Sequence, residues 1–253
     1  MVGRLTFASL NIYIVPLSCT LVLTHSFWFE LLLRSRSLKR LLLGSCNSSG
    51  NKVLKSLPDT LGNLSNLEEL ILDKCKSLLG LPASICHLQL NLWNIQMREC
   101  KATTELPHNI GNCVALRHLS LPKCMSLTTL PDSIGNLSNL EDMILTKCKL
   151  LTSLPESIGR CTMLSLLDLR NCKKLVHLPA SLGQLHMLRS LDLSTCKTLE
   201  ELPESIGHLK KLKDMDVSNC LVLSHIPGSI WSRVESGEMN LIGWETKAPT
   251  VDS

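Results

Sequence analysis

Cys86, His87, His108, Cys113 and His118 bring thiol and imidazole groups, the usual ligands of zinc, into one stretch of the chain. They lack the short Cys–Cys and His–His spacings of a closed tetrahedral site. Cys86 and Cys113 fall at repeating apolar positions and His118 at an outward strand position, so the five are expected to diverge, and no metal is assigned. The remaining chemistry is more regular. Cys75, Cys100, Cys124, Cys148, Cys172, Cys196 and Cys220 each stand seven residues before a proline, and Cys46 stands twelve before Pro58. Lys76, Lys101, Lys149, Lys173 and Lys197 follow five of these cysteines directly, forming a basic edge that Met125 and Leu221 interrupt. Such an edge attracts acidic or phosphate-bearing ligands, and equally serves as a solvated border against sideways association. The chain holds no G-x-x-x-x-G-K-[ST] phosphate loop, no G-x-S-x-G elbow, no H-E-x-x-H and no C-x-x-C pair. Neither catalysis nor a cofactor is expected.

The elements that position these residues follow from the prolines. Pro58, Pro82, Pro107, Pro131, Pro155, Pro179, Pro203 and Pro227 recur every 24 residues, with one interval of 25. A fixed period of this length is the mark of a solenoid, in which each turn buries its apolar face only against its neighbours. One turn runs Leu164, Leu167, Leu169, Cys172, Leu175, Leu178, Pro179, Leu182, Gly183, Leu185. The alternation at Leu167 and Leu169 has period two, so each turn contributes a short strand that stacks in parallel on the next, about 4.8 Å away. Stacked cysteines at that spacing sit beyond the ~3.5–4.5 Å Cβ separation of a disulfide. The eight ladder cysteines are therefore expected to be reduced packing groups whose S–H meets a loop carbonyl, which favours the cytosol. Cys86, Cys113 and Cys161 read as buried fillers.

The pattern L-x-x-L-x-L-x-x-C-x-x-L-x-x-L-P-x-S-I/L-G-x-L resembles a leucine-rich repeat array. Its cysteine-containing turn with the L-P-x-S-I-G segment is most similar to the repeats of plant intracellular disease-resistance proteins. Cytosolic Ras-group-related leucine-rich proteins use a similar L-P-x-x-I-G-x-L unit, usually with Asn where Cys stands here. The resemblance implies an α/β fold: a curved leucine-rich repeat solenoid with a concave parallel sheet and short helical or irregular convex turns. Residues 38–231 form the repeat domain of eight repeats. Residues 1–37 form a degenerate cap or a signal or anchor segment, and 232–253 a C-terminal cap and tail. The function it implies is non-enzymatic recognition of a protein partner in plant defence signalling. A cytosolic scaffold and an extracellular receptor fragment are the alternatives. The nucleotide-binding module that accompanies such repeats in resistance proteins has no counterpart in this sequence.

Recognition is expected on the inner face, at the x positions of x-x-L-x-L-x-x. Ile71, Trp93, His118, Ile144, Leu166, Asp168, Asp192 and Asp216 are the candidate partner-binding residues, with the apolar ones as anchors. Asp168, pointing away from the core, is expected to be dispensable for folding, whereas Leu167 is not.

Composition narrows the partners. With 26 basic and 22 acidic residues and only 3% aromatics, the chain lacks the concentrated charge and stacking groups of a nucleic-acid binder. A monomer is expected. Residues 5–29 carry no formal charge, so a membrane or secretory role enters only through them. Otherwise the expected location is cytoplasmic.

Overall fold

The computed structural model describes residues 38–44, 51–52 and 54–244. Cys46 and the uncharged segment 5–29 lie outside the described residues. Nine three-residue strands form one parallel sheet in strict sequence order. They are β1 (Arg40–Leu42), β2 (Glu69–Ile71), β3 (Asn94–Gln96), β4 (His118–Ser120), β5 (Asp142–Ile144), β6 (Leu166–Asp168), β7 (Ser190–Asp192), β8 (Asp214–Asp216) and β9 (Asn240–Ile242). Register is constant: the central residues Leu41, Leu70, Ile95, Leu119, Met143, Leu167, Leu191, Met215 and Leu241 are paired neighbours. All but Leu241 are buried, as are the apolar residues two positions on, Leu43, Leu72, Met97, Leu121, Leu145, Leu169, Leu193 and Val217. Period two thus sets one row inward and the flanking rows outward.

Opposite the sheet, the segment after each repeat proline before Pro227 makes a short 3₁₀ turn, for example Asp132–Asn136 and Glu156–Arg160. Proline supplies a fixed φ at the entry, and its carbonyl accepts the first turn hydrogen bond, as in Ile134 N–H to Pro131 O at 3.0 Å. The glycine of S-I-G lets these turns touch backbone to backbone. A Cβ at Gly135 would collide with the Ser157 carbonyl. Cys86 takes that glycine position in one repeat, and there the next turn begins late, at Ile110. Its side chain is accommodated and buried.

Between strand and ladder cysteine, the chain turns through a left-handed residue in each of the seven repeats from Cys75 onward: Lys74, Glu99, Lys123, Lys147, Asn171, Thr195 and Asn219 all have φ near +60°. Hydrogen bonds offset the cost. Thr195 N–H reaches Ser218 O at 2.6 Å, and the following Cys196 N–H turns back to Leu193 O at 3.1 Å. The cysteine thiols then complete the link between repeats. Cys100 Sγ donates to Leu72 O at 3.1 Å, Cys148 to Leu121 O at 3.3 Å, Cys196 to Leu169 O at 3.2 Å and Cys220 to Leu193 O at 3.1 Å. Burial pushes the Cys75, Cys124 and Cys161 thiols up to about 12 and raises those of Cys100, Cys148, Cys172 and Cys196 further.

The end of the array departs from the leucine pattern. After Pro227 an α-helix, α1 (Gly228–Glu235), replaces the 3₁₀ turn and buries Ile230. Arg233 reaches back to the preceding turn, with Nη1 to Leu209 O at 2.8 Å and Nη2 to Leu212 O at 2.6 Å. The chain then returns as β9, with Met239 and Trp244 buried on either side of it.

Two consequences are measurable. Of the twelve cysteines in the sequence, the ten described are buried and unpaired. No more than the other two should react with a thiol reagent at pH 8 in the native protein, and all twelve should react in denaturant. Extensive native labelling, or disulfides found by mass spectrometry, would contradict the packing role. Thr195 is a β-branched residue at φ +64°, in the position that Asn fills in the repeats on either side. Thr195→Asn should raise the unfolding free energy by about 1 kcal/mol, and a lower midpoint in urea would count against this account of the turn.

Candidate functional site

The outward residues of the sheet form two columns. One runs Arg40, Glu69, Asn94, His118, Asp142, Leu166, Ser190, Asp214, Asn240, and the other Leu42, Ile71, Gln96, Ser120, Ile144, Asp168, Asp192, Asp216, Ile242. Cross-strand pairs lace the first column. Arg40 Nε lies 2.9 Å from Glu69 Oε1, His118 Nδ1 lies 2.7 Å from Asp142 Oδ2, and Asn240 Nδ2 donates to Asp214 Oδ1 at 2.8 Å.

The two columns share a shallow groove of about 660 Å³ whose lining includes Trp93, Asn94, His118, Ser120, Asp142 and Ile144. Trp93 meets His118 edge to face, with ring centroids 5.7 Å apart. Asn94 donates from Nδ2 to Glu69 Oε2 at 3.3 Å, while its buried Oδ1 has no protein partner. Burial raises the Asp73 carboxyl at one end of the groove above its ordinary range, against the opposing hydrogen bond from Arg98 N–H.

The irregular interval of the sequence lies beside this groove. Between Leu88 and Leu92 the turn holds one residue more than its counterparts, so Leu92 N–H reaches back four residues to Leu88 O. In the next repeats, Leu116 and Leu140 N–H reach back three, to Cys113 and Leu137 O. The wider turn pushes Leu90 outward, to 81% exposure. Leu90 and Trp93 with Ala115, Arg117 and His118 line a second hollow of about 610 Å³. Trp93 and His118 therefore stand between two hollows, one on the sheet and one on its rim.

The expected anchors are not equal. Trp93, Ile71, Ile144 and Leu166 face outward as read from the sequence but are half-buried among their neighbours. Leu90, Val114 and Met163 on the rim are the more exposed apolar groups there. The extra residue of the 25-residue interval was the signal that could have found Leu90.

The acidic column is engaged by its own backbone. Asp168 is only 9% exposed. Its Oδ1 accepts Arg170 N–H at 3.0 Å, and its Oδ2 accepts Arg170 Nη2 and Thr146 Oγ1, both at 2.8 Å. Asp192 Oδ1 accepts Ser194 N–H at 2.9 Å, and Asp216 Oδ1 accepts Ser218 N–H at 2.8 Å. Each aspartate thus closes an Asx turn at the end of its strand, holding the backbone two residues on. Where the column holds Ser120, the residue two on is Pro122, which has no N–H to hold. These contacts give Asp168 a structural role, against the expectation that it is dispensable for folding.

Of the five thiol and imidazole residues, Cys86 and Cys113 meet in the core, their thiols hydrogen-bonded to one another, while His118 is on the sheet face and His87 and His108 are exposed on the turns. Along the basic edge, Lys101, Lys149, Lys173 and Lys197 are exposed and Lys76 is half-buried. Lys123 Nζ holds Glu99 Oε1 at 2.6 Å, which lowers the Glu99 carboxyl below its ordinary range.

Asp168→Ala should lower stability by about 1–3 kcal/mol, because three part-buried donors lose their charged acceptor. Asp168→Asn, which keeps Oδ1, should recover part of this. Leu167→Asp should cost more than either, since it puts a carboxylate in the core. Chemical denaturation of the three variants checks the order, and a neutral Asp168→Ala would remove the structural role.

The profile described as Leucine Rich Repeat matches residues 187–209. Over 72 residues the chain is 42% identical to "Disease resistance protein RPP4" of Arabidopsis thaliana, which covers 28% of this chain and 6% of that protein. The leucine-rich repeat domain of the type III effector XCV3220 (XopL) superposes with a TM-score of 0.62 at 30% identity, covering 74% of this chain and 64% of that one. Among the described residues no helix is long and apolar enough to cross a membrane. The chain has the fold of a leucine-rich repeat array, a curved parallel solenoid, and over a short stretch its sequence is similar to a plant disease-resistance protein.

Proposed function

We propose that the chain is a non-enzymatic recognition module that binds a protein partner on its concave face, in plant defence signalling, as a sensor or regulatory repeat domain of the cytoplasm. The observation that carries the reading is the coincidence of the one irregular interval with the aromatic site. The inserted residue exposes Leu90 beside Trp93, and Trp93 with His118 joins the groove to the rim. An aromatic anchor on a rigid sheet, next to an exposed leucine and ringed by Glu68, Arg117 and Asp142, has the composition of a binding hot spot with a polar border. The defence setting is supported by the short similarity to the resistance protein of Arabidopsis. The cytoplasmic setting is supported by ten buried, unpaired cysteines.

A photo-crosslinking residue at Ile144, in the groove, should capture a protein from plant leaf extract, and the captured band should disappear when Trp93→Ala is added. A residue at Leu79 probes the alternative surface, a hollow of about 850 Å³ on the proline-lined flank. Capture from Leu79 and not Ile144, or capture from Ile144 that survives Trp93→Ala, would overturn the assignment. For the purified partner, Trp93→Ala should weaken binding by more than about 1 kcal/mol, through faster dissociation.

A further inference from the structure

The basic edge contains a hollow that shares Lys123 and Lys147 with the concave groove but lies apart from Trp93 and His118. In the row that follows the ladder cysteines, Met125 stands between Lys101 and Lys149. The shorter neutral side chain leaves a depression of about 330 Å³, walled by Lys101, Lys123, Lys147, Lys149 and Lys173 around Met125. Glu99 is the single carboxylate in its lining, and it is already engaged by Lys123 at 2.6 Å. Among the described residues, Lys101, Lys147, Lys149 and Lys173 form no ion pair within 4.0 Å. Five lysines from four successive repeats thus line one small space, which with Glu99 carries a net formal charge of +4.

We infer that this hollow binds a small, soluble, multiply phosphorylated molecule. Like charges one repeat apart repel, and a ligand bearing several phosphates relieves that repulsion at several lysines simultaneously. The repeat geometry spaces the ammonium groups regularly, about 4.8 Å per strand step, which suits phosphates distributed around a compact ring or a short chain. The size of the hollow favours such a molecule over an extended polymer. Lys123 and Lys147 start from left-handed backbone positions fixed by hydrogen bonds to Thr146 O and Arg170 O. Two walls of the hollow are therefore anchored before any ligand arrives.

Isothermal titration of the full chain with inositol hexakisphosphate, at about 0.15 M ionic strength, tests the inference. Saturable one-to-one binding is expected. Three variants, each checked for an unchanged thermal midpoint, separate a hollow from diffuse charge. The double change Lys147→Ala with Lys149→Ala should weaken binding at least tenfold, whereas Lys210→Ala with Lys211→Ala, away from the hollow, should leave it unchanged. Met125→Trp fills the space without altering charge and should also weaken binding at least tenfold. Glu99→Gln removes the competing carboxylate and should strengthen it several-fold. No binding, equal losses from the two lysine pairs, or an unaffected Met125→Trp would overturn the site. Binding confined to vesicles carrying a phosphoinositide, with none to the free polyphosphate, would overturn the assignment to a soluble ligand.

Discussion

The carbonyl that follows each strand joins one repeat to the next. Leu72 O accepts Cys75 N–H of its own repeat at 3.1 Å and the Cys100 thiol of the following repeat at 3.1 Å. Leu193 O does the same with Cys196 N–H and Cys220, both at 3.1 Å. The buried acceptor is satisfied twice, and each thiol spends its one proton across the repeat boundary. An amide side chain there would bring a second donor and an acceptor, each needing a partner in the core. Cysteine needs neither, which suits a turn tight enough to require a left-handed residue immediately before it. The cost of that residue is met in the same place, because its N–H pairs with the next repeat. Removing one repeat therefore leaves donors and acceptors open on both sides, and the array is stable as a stack rather than as separate turns.

Because this linkage repeats, information resides in the departures from it. Three are concentrated in the middle of the chain: the extra residue that exposes Leu90, the cysteine in a glycine position at Cys86, and the methionine in the lysine row at Met125. The first two belong together. The late turn at Ile110–Asn112 gives Cys86 its space within the 25-residue interval that also carries Trp93. Toward the C-terminus the sheet face is instead occupied by its own structure, with Asp168, Asp192 and Asp216 turned to backbone N–H groups.

Much of this was legible in the sequence. Alternation at pairs such as Leu167 and Leu169 fixed the inward face, and the constant spacing of cysteine and proline fixed the register of the stack. What escaped had no period. β9 rests on Met239 and Leu241 alone, too short an alternation to signal a strand, and α1 differs from a 3₁₀ turn only in continuing past one turn. The hydrogen bonding of the aspartate column was not legible, because alternation reports which side of a strand a residue leaves, not what it then meets. Asp168 leaves outward and folds back onto Arg170 and Thr146. The pairing of Asp with a Ser or Arg two residues on was the available sign. Half-burial of Ile71 and Ile144 likewise depends on neighbours one repeat away, which no window along the chain contains.

Lys123 and Lys147 line both the concave groove and the lysine hollow. Their backbone cannot move without breaking the hydrogen bonds that hold the left-handed turn, so only their side chains are free to choose between the two surfaces. Lys123 is further committed by Glu99 at 2.6 Å. An anion in the hollow would compete for the same ammonium groups that border the groove, altering its edge charge while leaving Trp93 and His118 in place. Edge charge governs chiefly how fast a charged partner arrives, and buried aromatic contact governs how long it stays. Charge at one border of the stack can thus change without repacking the Trp93–His118 groove beside it.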